Sequence, residues 1–458
     1  MGRPPGKRES RFSARRLAVD VLVRVFRDDS YADVLLDAKF RDHAIPKADR
    51  SLAMEIVHGT LRNLGYLDWI LTRFYRGAWR RLPDAVRCNL ETALYQILFL
   101  DRVPAYAAVD EAVRMARQDG GDRPAGLVNG ILRNILRQDV MPEPPAIGED
   151  PVRFITIRHS HPEWLVRRWV EAFGAERTVR ICEAGNTRPG FGIRVNPIRT
   201  ARETVRETLE SDGFDVRVSP LLQEMLVLGK AGDIVRSASF REGLISIQDV
   251  SAALAARLVA PEPGEIILDM TAAPGGKSFH MAELTGDRAR ILAMDIHPHR
   301  VRKLRETAGR LGLKAVHPVC GDGRRPPLLF ADRVLVDAPC SGIGVIGRRP
   351  EIRWRLRESE IGPLIRIQEE LLESAAERVR PGGVLVYSTC TVLHEENRIQ
   401  IGRFCGRHPE FTKEDAAGFV DASVVTDGFV ETWPDVHGMD GSFAVRLRKR
   451  ESNHESQP

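Results

Sequence analysis

ILDMTAAPGGKS, residues 267–278, begins as an apolar run, continues as a glycine-rich turn and ends as the start of a helix. The run that ends at Asp269 predicts a buried strand, and Pro274-Gly275-Gly276 predicts a tight turn. Small residues and glycines let a ligand lie close to the backbone, and the N–H groups at a helix start are free to bind it. The stretch therefore predicts an α/β fold with a ligand site after a strand.

Strands and helices alternate around this stretch, which predicts a mostly parallel, doubly wound sheet. The predicted strands are 266–269, 291–295, 315–319, 334–337 and 384–388, and the predicted helices are 277–284, 299–311, 363–379 and 395–405. Residues 429–432 and 443–447 flank a turn rich in Gly and Asp, so they predict an antiparallel hairpin at one edge of the sheet.

The part of the chain before this domain has a different pattern. Residues 13–138 show helical periodicity without strand alternation, which predicts an all-helical domain. Four prolines in 139–151 predict a linker, and short strand-like runs beside helical segments predict a small α+β domain over 152–242. The predicted plan is completed by a basic, mobile segment at 1–12, the α/β domain at 243–449 and a polar tail at 450–458.

Composition narrows the class of protein. A chain of 458 residues is long enough for about three domains. It has no apolar run near the ~20 residues that span a bilayer, and its N-terminus lacks the apolar core of a secretion signal. Six cysteines are scattered without a C-x-x-C pair, which argues against a zinc site or a disulfide framework and predicts a cytoplasmic protein without a metal.

Positive charge is unevenly distributed, although the net charge is only +5. Residues 1–27 carry eight Lys or Arg against two acids, and arginines also crowd residues 348–357 around Trp354. Basic clusters beside an aromatic residue suit nucleic acid. A solvated charged surface explains either cluster equally well.

Acidic residues end two of the strands that follow the glycine-rich turn. Asp295 lies 20 residues after Gly275, where an acid binds the ribose hydroxyls of a nucleoside ligand. Asp322, after the next strand, is placed to bind the adenine or its exocyclic amine. A single acid of this kind is more often a helix cap or turn former, but the set around one glycine turn favours an adenosine-type ligand. A Walker P-loop is a poorer match, because it requires Gly where the chain has Thr271.

Two cysteines follow two other predicted strands. Cys340 stands in Asp337-Ala-Pro-Cys-Ser-Gly342, and Cys390 ends Tyr387-Ser-Thr-Cys390. Most free cysteines are buried small hydrophobic residues, but two in this setting beside an acid favour chemistry. A thiolate that adds to C6 of a pyrimidine makes C5 enamine-like, so that C5 attacks an electrophilic methyl group and a base then removes its proton. A carboxyl group such as Asp337 can stabilise charge at N3 and the exocyclic amine. From local chemistry alone, either thiol is a candidate nucleophile.

The combined motifs resemble the RNA 5-methylcytosine methyltransferase family. The matching stretches are 248–251, 272–277, 337–342, 349–354, 387–390, 395–397 and 440–443. The helical first domain, with HGTLRN at 58–63 and VNGILR at 128–133, is similar to the NusB-like RNA-binding domain of the Sun/RsmB branch. Thr271 replaces the usual Cys of the family, for which we expect only a packing difference, and Ser442 stands where Phe is common.

The resemblance implies a Rossmann-like class I methyltransferase domain that uses S-adenosylmethionine. It implies that Cys390 is the nucleophile and that Cys340 helps to release the product. The residues that it assigns to the cofactor are Thr271, Ala272, Ala273, Pro274, Gly275, Gly276, Lys277, Asp295, Asp322 and Asp337. It also implies small-subunit ribosomal RNA as the substrate, and we expect a monomer that does not bind membranes.

Three rival interpretations follow from the same residues. One is a non-catalytic RNA-binding or assembly factor, against which the intact cysteines and glycine turn argue. Another is a P-loop nucleotide hydrolase. The third is an amino-methyltransferase, but those enzymes use Asn/Asp-Pro-Pro-aromatic where this chain has Asp337-Ala-Pro-Cys340.

Overall fold

The computed structural model describes residues 13–229 and 232–451, so the predicted segment 1–12 and most of the predicted tail lie outside the described residues. The chain divides into two compact units. The first comprises residues up to 186 together with 349–356, and the second comprises the remainder. The finer domain boundaries drawn from the sequence stay a prediction.

The described part of the first unit is built from helices, as predicted. Its helices are α1 (Ala14–Arg27), α2 (Ala32–Asp42), α3 (Lys47–Phe74), α4 (Asp84–Phe99), α5 (Ala105–Gly120), α6 (Asp122–Leu136), α7 (Pro151–Arg158) and α8 (Glu163–Asn186). These segments form helices because their apolar residues recur with helical periodicity. In α1 and α6 the apolar residues fall on one buried face of the helix. Ser13 caps α1 by accepting a hydrogen bond from the Arg16 N–H at 3.1 Å.

A small antiparallel sheet opens the second unit. Its strands are β1 (Phe191–Val195), β2 (Val216–Val218), β3 (Met225–Leu228) and β4 (Ile245–Ile247), and their order is β2-β3-β1-β4. Helices α9 (Arg202–Ser211) and α10 (Ala238–Arg241) belong to the same segment. The strand β4 lies after residue 242, where we placed the end of the small domain, yet it pairs with β1.

The large sheet has nine strands and carries the predicted doubly wound topology. The strands are β5 (Ile266–Asp269), β6 (Arg290–Asp295), β7 (Val316–Cys320), β8 (Ala331–Asp337), β9 (Val379–Thr389), β10 (Phe411–Glu414), β11 (Val425–Thr426), β12 (Phe429–Thr432) and β13 (Ser442–Lys449). The order is β11-β12-β13-β9-β8-β5-β6-β7, with β10 beside β13. Strands β9, β8, β5, β6 and β7 are parallel. Strands β12 and β13 form the predicted antiparallel hairpin, and β13 joins it to β9, again antiparallel.

The remaining helices connect these strands. They are α11 (Val250–Val259), α12 (Gly276–Leu284), α13 (Pro298–Leu311), α14 (Ile352–Arg355), α15 (Ile361–Arg378), α16 (Arg398–Arg407) and α17 (Pro434–His437). In the sheet, β6 lies on one side of β5, and β8, which comes later in the chain, lies on the other side. This reversal opens a crevice at the carboxyl ends of the strands, where α/β sheets bind their ligands.

Helix α14 belongs to the first unit, although its sequence lies between two stretches of the second. Arg353 is 1% exposed and donates hydrogen bonds to the carbonyl oxygens of Ser160 and Gly185. The Trp354 indole donates to the Leu61 carbonyl at 2.7 Å. Arg353 and Trp354 therefore stabilise the fold of the first unit, and their side chains are not available to bind nucleic acid.

Within residues 13–229 and 232–451, no helix combines the length and the apolar character that a membrane crossing requires.

Candidate active site

The side chains predicted to form the site meet at one edge of the large sheet. The turn at 271–277 follows β5, Asp295 ends β6, Asp322 follows β7, Asp337 ends β8 and Cys390 follows β9. Because these five strands are parallel, their carboxyl ends lie side by side.

The glycine-rich turn is held by backbone hydrogen bonds to the neighbouring strand and within itself. The Ala272 N–H donates to the Met294 carbonyl at 2.7 Å, and the Gly275 N–H donates to the Ala272 carbonyl at 2.7 Å. Gly275 has a φ of 108°, a conformation that side chains disfavour. A Cβ there would also lie 2.3 Å from the Phe279 ring. Residue 275 must therefore be glycine for the turn to lead into α12.

We expect Gly275→Ala to abolish binding of the nucleoside ligand, because both the backbone conformation and the contact with Phe279 forbid the native turn. Calorimetric titration with S-adenosylmethionine measures the effect. The matched control is Gly309→Ala in α13, where a Cβ would meet no atom within 4 Å. The control should bind normally and gain about 0.5–1 kcal/mol of stability, since alanine favours a helix interior. Normal binding by the Gly275 variant would contradict the role of the turn.

Asp337 is held by three groups. Its Oδ2 accepts from the Lys277 ammonium at 2.7 Å, and its Oδ1 accepts from the Ser388 hydroxyl at 2.8 Å. The Thr271 hydroxyl donates to its backbone carbonyl at 2.8 Å. Burial opposes the charge on Lys277, but the charge of Asp337 and its hydrogen bond, together with the charges of Cys390 and Asp269, raise the Lys277 pKa. The pair is therefore a fixed carboxylate and ammonium at the centre of the site.

Asp269, at the end of β5, is buried directly beneath this pair. Its Oδ2 accepts from the Ser278 hydroxyl at 2.5 Å. Burial raises its pKa to about 7, and the nearby Asp337 charge acts in the same direction.

Cys340 and Cys390 form a thiol pair, with 3.3 Å between the two sulfur atoms. The Cys390 N–H also lies 3.3 Å from the Cys340 sulfur and donates to it. The hydrogen bond from Cys340 lowers the pKa of Cys390, while the same contact, together with burial, raises the pKa of Cys340. Cys390 is the exposed member of the pair, so the more acidic thiol is also the more accessible one.

A buried hydrogen-bond network fixes the loops that carry the two cysteines. Glu396 accepts from the Ser341 N–H at 2.9 Å and from the Ser341 hydroxyl at 2.5 Å. Gln368 donates to both Glu396 and the Pro339 carbonyl. These bonds occupy residues that we had predicted as the first turn of a helix. Helix α16 accordingly begins at Arg398, three residues later than predicted.

Gly344 brings a third backbone segment against the thiol pair. Its N–H donates to the Cys390 carbonyl at 3.0 Å, and its own carbonyl accepts from the Gly441 N–H at 2.8 Å. A Cβ at Gly344 would lie 1.9 Å from the Gly441 oxygen, so no other residue fits. Arg348, a few residues on, bonds to Asp249 and Asp440. The positive charge of Arg348 is therefore neutralised by two carboxylates within the second unit.

A buried arginine in the small sheet stabilises the glycine-rich turn. Arg194 of β1 is 0% exposed and donates to the Gly276 carbonyl at 2.8 Å. It also binds both carboxylate oxygens of Glu283 and the side chain of Gln248. Removing one partner of such a buried pair costs about 3–5 kcal/mol, because the other charge is left uncompensated.

The residues at the ends of β5 and β6 fit a nucleoside ligand. Asp295 is 7% exposed, and its Oδ1 accepts from the His297 N–H, while its Oδ2 has Arg300 only at 3.9 Å. Ile296 beside it is 54% exposed and offers an apolar surface. At Gly276 a Cβ would meet only Gln248, at 3.5 Å or more, so the turn backbone is uncovered there. A carboxylate oxygen, an apolar side chain and an open backbone are what a ribose and a base require.

Asp322 is the predicted residue whose position supports its role least. Its carboxylate binds the Arg324 guanidinium in a bidentate pair with a closest distance of 2.7 Å. This contact lowers the Asp322 pKa and occupies the oxygens that we predicted for the adenine. Each carboxylate oxygen keeps a second lone pair, so an adenine amine would have to share these oxygens with the arginine.

Sequence reasoning missed several residues that the structure brings to the site. Arg194 had a detectable signal, since it is the one charged residue in the otherwise apolar strand 191–195. Ser388 and Gln368 had none, because each is an ordinary polar residue in its segment. Ile296 was detectable only as an apolar residue directly after the strand-end acid.

The sequence matches known families along most of its length. Residues 256–448 match the family described as 16S rRNA methyltransferase RsmB/F. Residues 13–137 match the NusB family, and residues 161–235 match the ferredoxin-like domain of RsmF/B-like methyltransferases.

Relatives are similar over nearly the whole chain. The probable ribosomal RNA small subunit methyltransferase B of Bacillus subtilis is 36% identical over 446 residues, covering 96% of this chain and 99% of that protein. The ribosomal RNA small subunit methyltransferase B of Erwinia tasmaniensis is 34% identical, covering 88% of this chain and 91% of that protein. The crystal structure of PH0851 superimposes with a TM-score of 0.81 at 28% identity, covering 96% and 99% of the two chains.

Fold and site together define an RNA methyltransferase with a Rossmann-like catalytic domain. A nucleoside-type crevice and two thiols lie at one edge of its sheet. The chain belongs to the family of small-subunit ribosomal RNA methyltransferase B proteins. This membership decides against the P-loop hydrolase and the amino-methyltransferase.

Proposed function

We propose that the protein transfers the methyl group of S-adenosylmethionine to C5 of a cytosine in small-subunit ribosomal RNA, through an adduct between Cys390 and C6. The thiol pair carries this proposal, because two sulfur atoms 3.3 Å apart provide one group to form the adduct and one to resolve it. Neither an amino-methyltransferase nor a purely RNA-binding protein has a use for such a pair.

S-adenosylmethionine, when bound, would supply an electrophilic methyl group to C5 of the adduct, and the broken methyl–sulfonium bond would leave S-adenosylhomocysteine as the by-product. The residues proposed to hold S-adenosylmethionine are the turn at 271–277, with Asp295 for the ribose hydroxyls and Ile296 for the base. Asp322 is proposed to accept a hydrogen bond from the adenine amine through the lone pairs that Arg324 leaves open. Arg194 keeps the turn in place through the Gly276 carbonyl.

The first chemical step is the addition of the Cys390 thiolate to C6 of the flipped cytosine. The lowered pKa of Cys390 favours the thiolate, and its exposure admits the base. Addition places negative charge on the pyrimidine ring. Asp337 accepts a hydrogen bond from the exocyclic amine, and the Lys277 ammonium, 2.7 Å from that carboxylate, offsets the charge that develops near N3.

Product release needs a base for the C5 proton. Once the Cys390 sulfur is bonded to C6 it is no longer a thiolate, so the main cause that raises the Cys340 pKa is removed. The Cys390 N–H, which donates to the Cys340 sulfur, then favours loss of the Cys340 proton to solvent, which leaves a Cys340 thiolate. We propose that this thiolate takes the C5 proton. The C5–C6 double bond re-forms, the C6–sulfur bond breaks, and Cys390 leaves as a thiolate.

The substrate is tested in a strain that lacks this protein. Bisulfite sequencing of its small-subunit ribosomal RNA should show the loss of one protected cytosine, because an unmethylated cytosine is converted. Reintroducing the wild-type chain should restore protection, whereas the Cys390→Ala chain should not. An unchanged pattern of 5-methylcytosine would refute the proposed substrate. Action on ribosomal RNA also agrees with the cytoplasmic location predicted from the cysteine pattern.

A further inference from the structure

The end of α3 and the turn after it carry an unusual concentration of arginine. Residues 73–81 read RFYRGAWRR, with four arginines, three aromatic residues and no acid. The aromatic side chains Phe74, Tyr75 and Trp79 pack against the hydrophobic core of the first unit. This packing fixes the position of the segment. The side chains of all four arginines, by contrast, are exposed.

These arginines differ from the other exposed arginines of the same unit. Arg24, Arg117 and Arg180 each pair with an acid at 3.0–3.2 Å. Among the described residues, by contrast, no acid lies within ion-pair distance of the arginines at 73, 76, 80 and 81. The buried carboxyl of Asp68 lies close enough to Arg80 to be affected by its charge, but the two form no ion pair. Four like charges within nine residues repel one another, so the cluster favours an anionic partner.

Two half-buried aromatic rings on the preceding turns of α3 also pack against this core and lie beside the cluster. Tyr66 and Trp69 stack with an interplanar angle of 14° and a centroid distance of 6.4 Å. The Arg73 guanidinium lies 3.2 Å over the Trp69 ring, and Arg158 of α7 lies 5.7 Å over Tyr66. The positive charge of Arg153, also on α7, lowers the Arg73 pKa further than burial alone does. Both helices therefore contribute cations to one surface.

We propose that this arginine–aromatic surface, formed by Tyr66, Trp69, Arg73, Arg76, Arg80 and Arg81, binds the ribose–phosphate backbone and exposed bases of RNA. Guanidinium groups bind phosphate in a bidentate manner, and stacked aromatic and guanidinium planes accept unpaired bases. An acidic protein would use the charges but not the stacked rings. The inference rests on the proposed function in that ribosomal RNA is the RNA concerned.

The test compares two triple variants of the full chain. One carries Arg76→Gln, Arg80→Gln and Arg81→Gln. The matched control carries Arg117→Gln, Arg180→Gln and Arg167→Gln, which remove the same charge from paired arginines, since Arg167 pairs with Glu163. The affinity for transcribed small-subunit ribosomal RNA is measured by filter binding between about 50 and 200 mM salt. The first variant should bind at least about tenfold more weakly at low salt, and the slope of log K against log salt should fall by about 2, the value for three lost phosphate contacts.

The control variant should keep the wild-type affinity and slope, and both variants should bind S-adenosylmethionine normally in calorimetry. A first variant with the wild-type slope and affinity would overturn the proposed surface, even if the enzyme methylates the RNA. A weakened first variant, in an enzyme that leaves C5 of cytosine unmodified, would support the surface and refute the proposed function.

Discussion

Replacing Cys390 by alanine is expected to abolish methyl transfer while RNA and S-adenosylmethionine still bind. The change removes the sulfur that we propose to attack C6, and C5 of an unactivated cytosine is a poor nucleophile. The loss should be on the order of 10⁴-fold or more, the scale seen when an enzyme loses its nucleophile. Transfer of a labelled methyl group to small-subunit ribosomal RNA under single-turnover conditions measures it.

The matched control is Cys405→Ala in α16, which removes a partly buried thiol from the same unit. This variant should retain the wild-type rate, because no step is assigned to Cys405. Full activity of the Cys390 variant would show that another group forms the bond to C6, and Cys340 would then be the first candidate for the nucleophile.

Replacing Cys340 by alanine is expected to arrest the enzyme after the adduct has formed. Cys390 can still add to C6, but the proposed acceptor of the C5 proton is missing, so the C6–sulfur bond persists. Turnover should fall by roughly 10²–10⁴-fold, the range for loss of an acid–base group. A covalent protein–RNA complex should accumulate, visible as a shifted band on a denaturing gel in the presence of S-adenosylmethionine.

The double variant, Cys340→Ala with Cys390→Ala, should form no such complex, which ties the band to Cys390. If the complex instead accumulates in the Cys390 variant, the two thiols have exchanged roles. Normal turnover by the Cys340 variant without a complex would reduce Cys340 to a packing residue.

Most of the large sheet was predictable from the sequence because each strand and helix has a local cause. The strand Ile266–Asp269 and the strand Phe429–Thr432 are found with the predicted bounds, since each is a short apolar or β-branched run closed by a turn. The helix after β9 was predicted three residues too early. Tertiary hydrogen bonds to Glu396 override the helical tendency of its first turn.

The ion pair between Lys277 and Asp337 was not predictable. The sequence marks both residues, but as separate members of two motifs 60 residues apart. Their 2.7 Å contact exists because β5 and β8 are neighbours in the sheet, although they are not consecutive in the chain. The pairing of β8 with β9 likewise brings the Ser388 hydroxyl to Asp337.

The sequence alone determined that Asp337, Cys340 and Cys390 follow buried strands and that Gly275 ends a turn, because such signals are local. Only the tertiary structure decided how the two thiols differ. Their sulfur atoms lie 3.3 Å apart, and the hydrogen bond between them makes Cys390 the more acidic. Local chemistry left the two cysteines equivalent, because a pKa depends on neighbours that the fold, and not the order of residues, brings into contact.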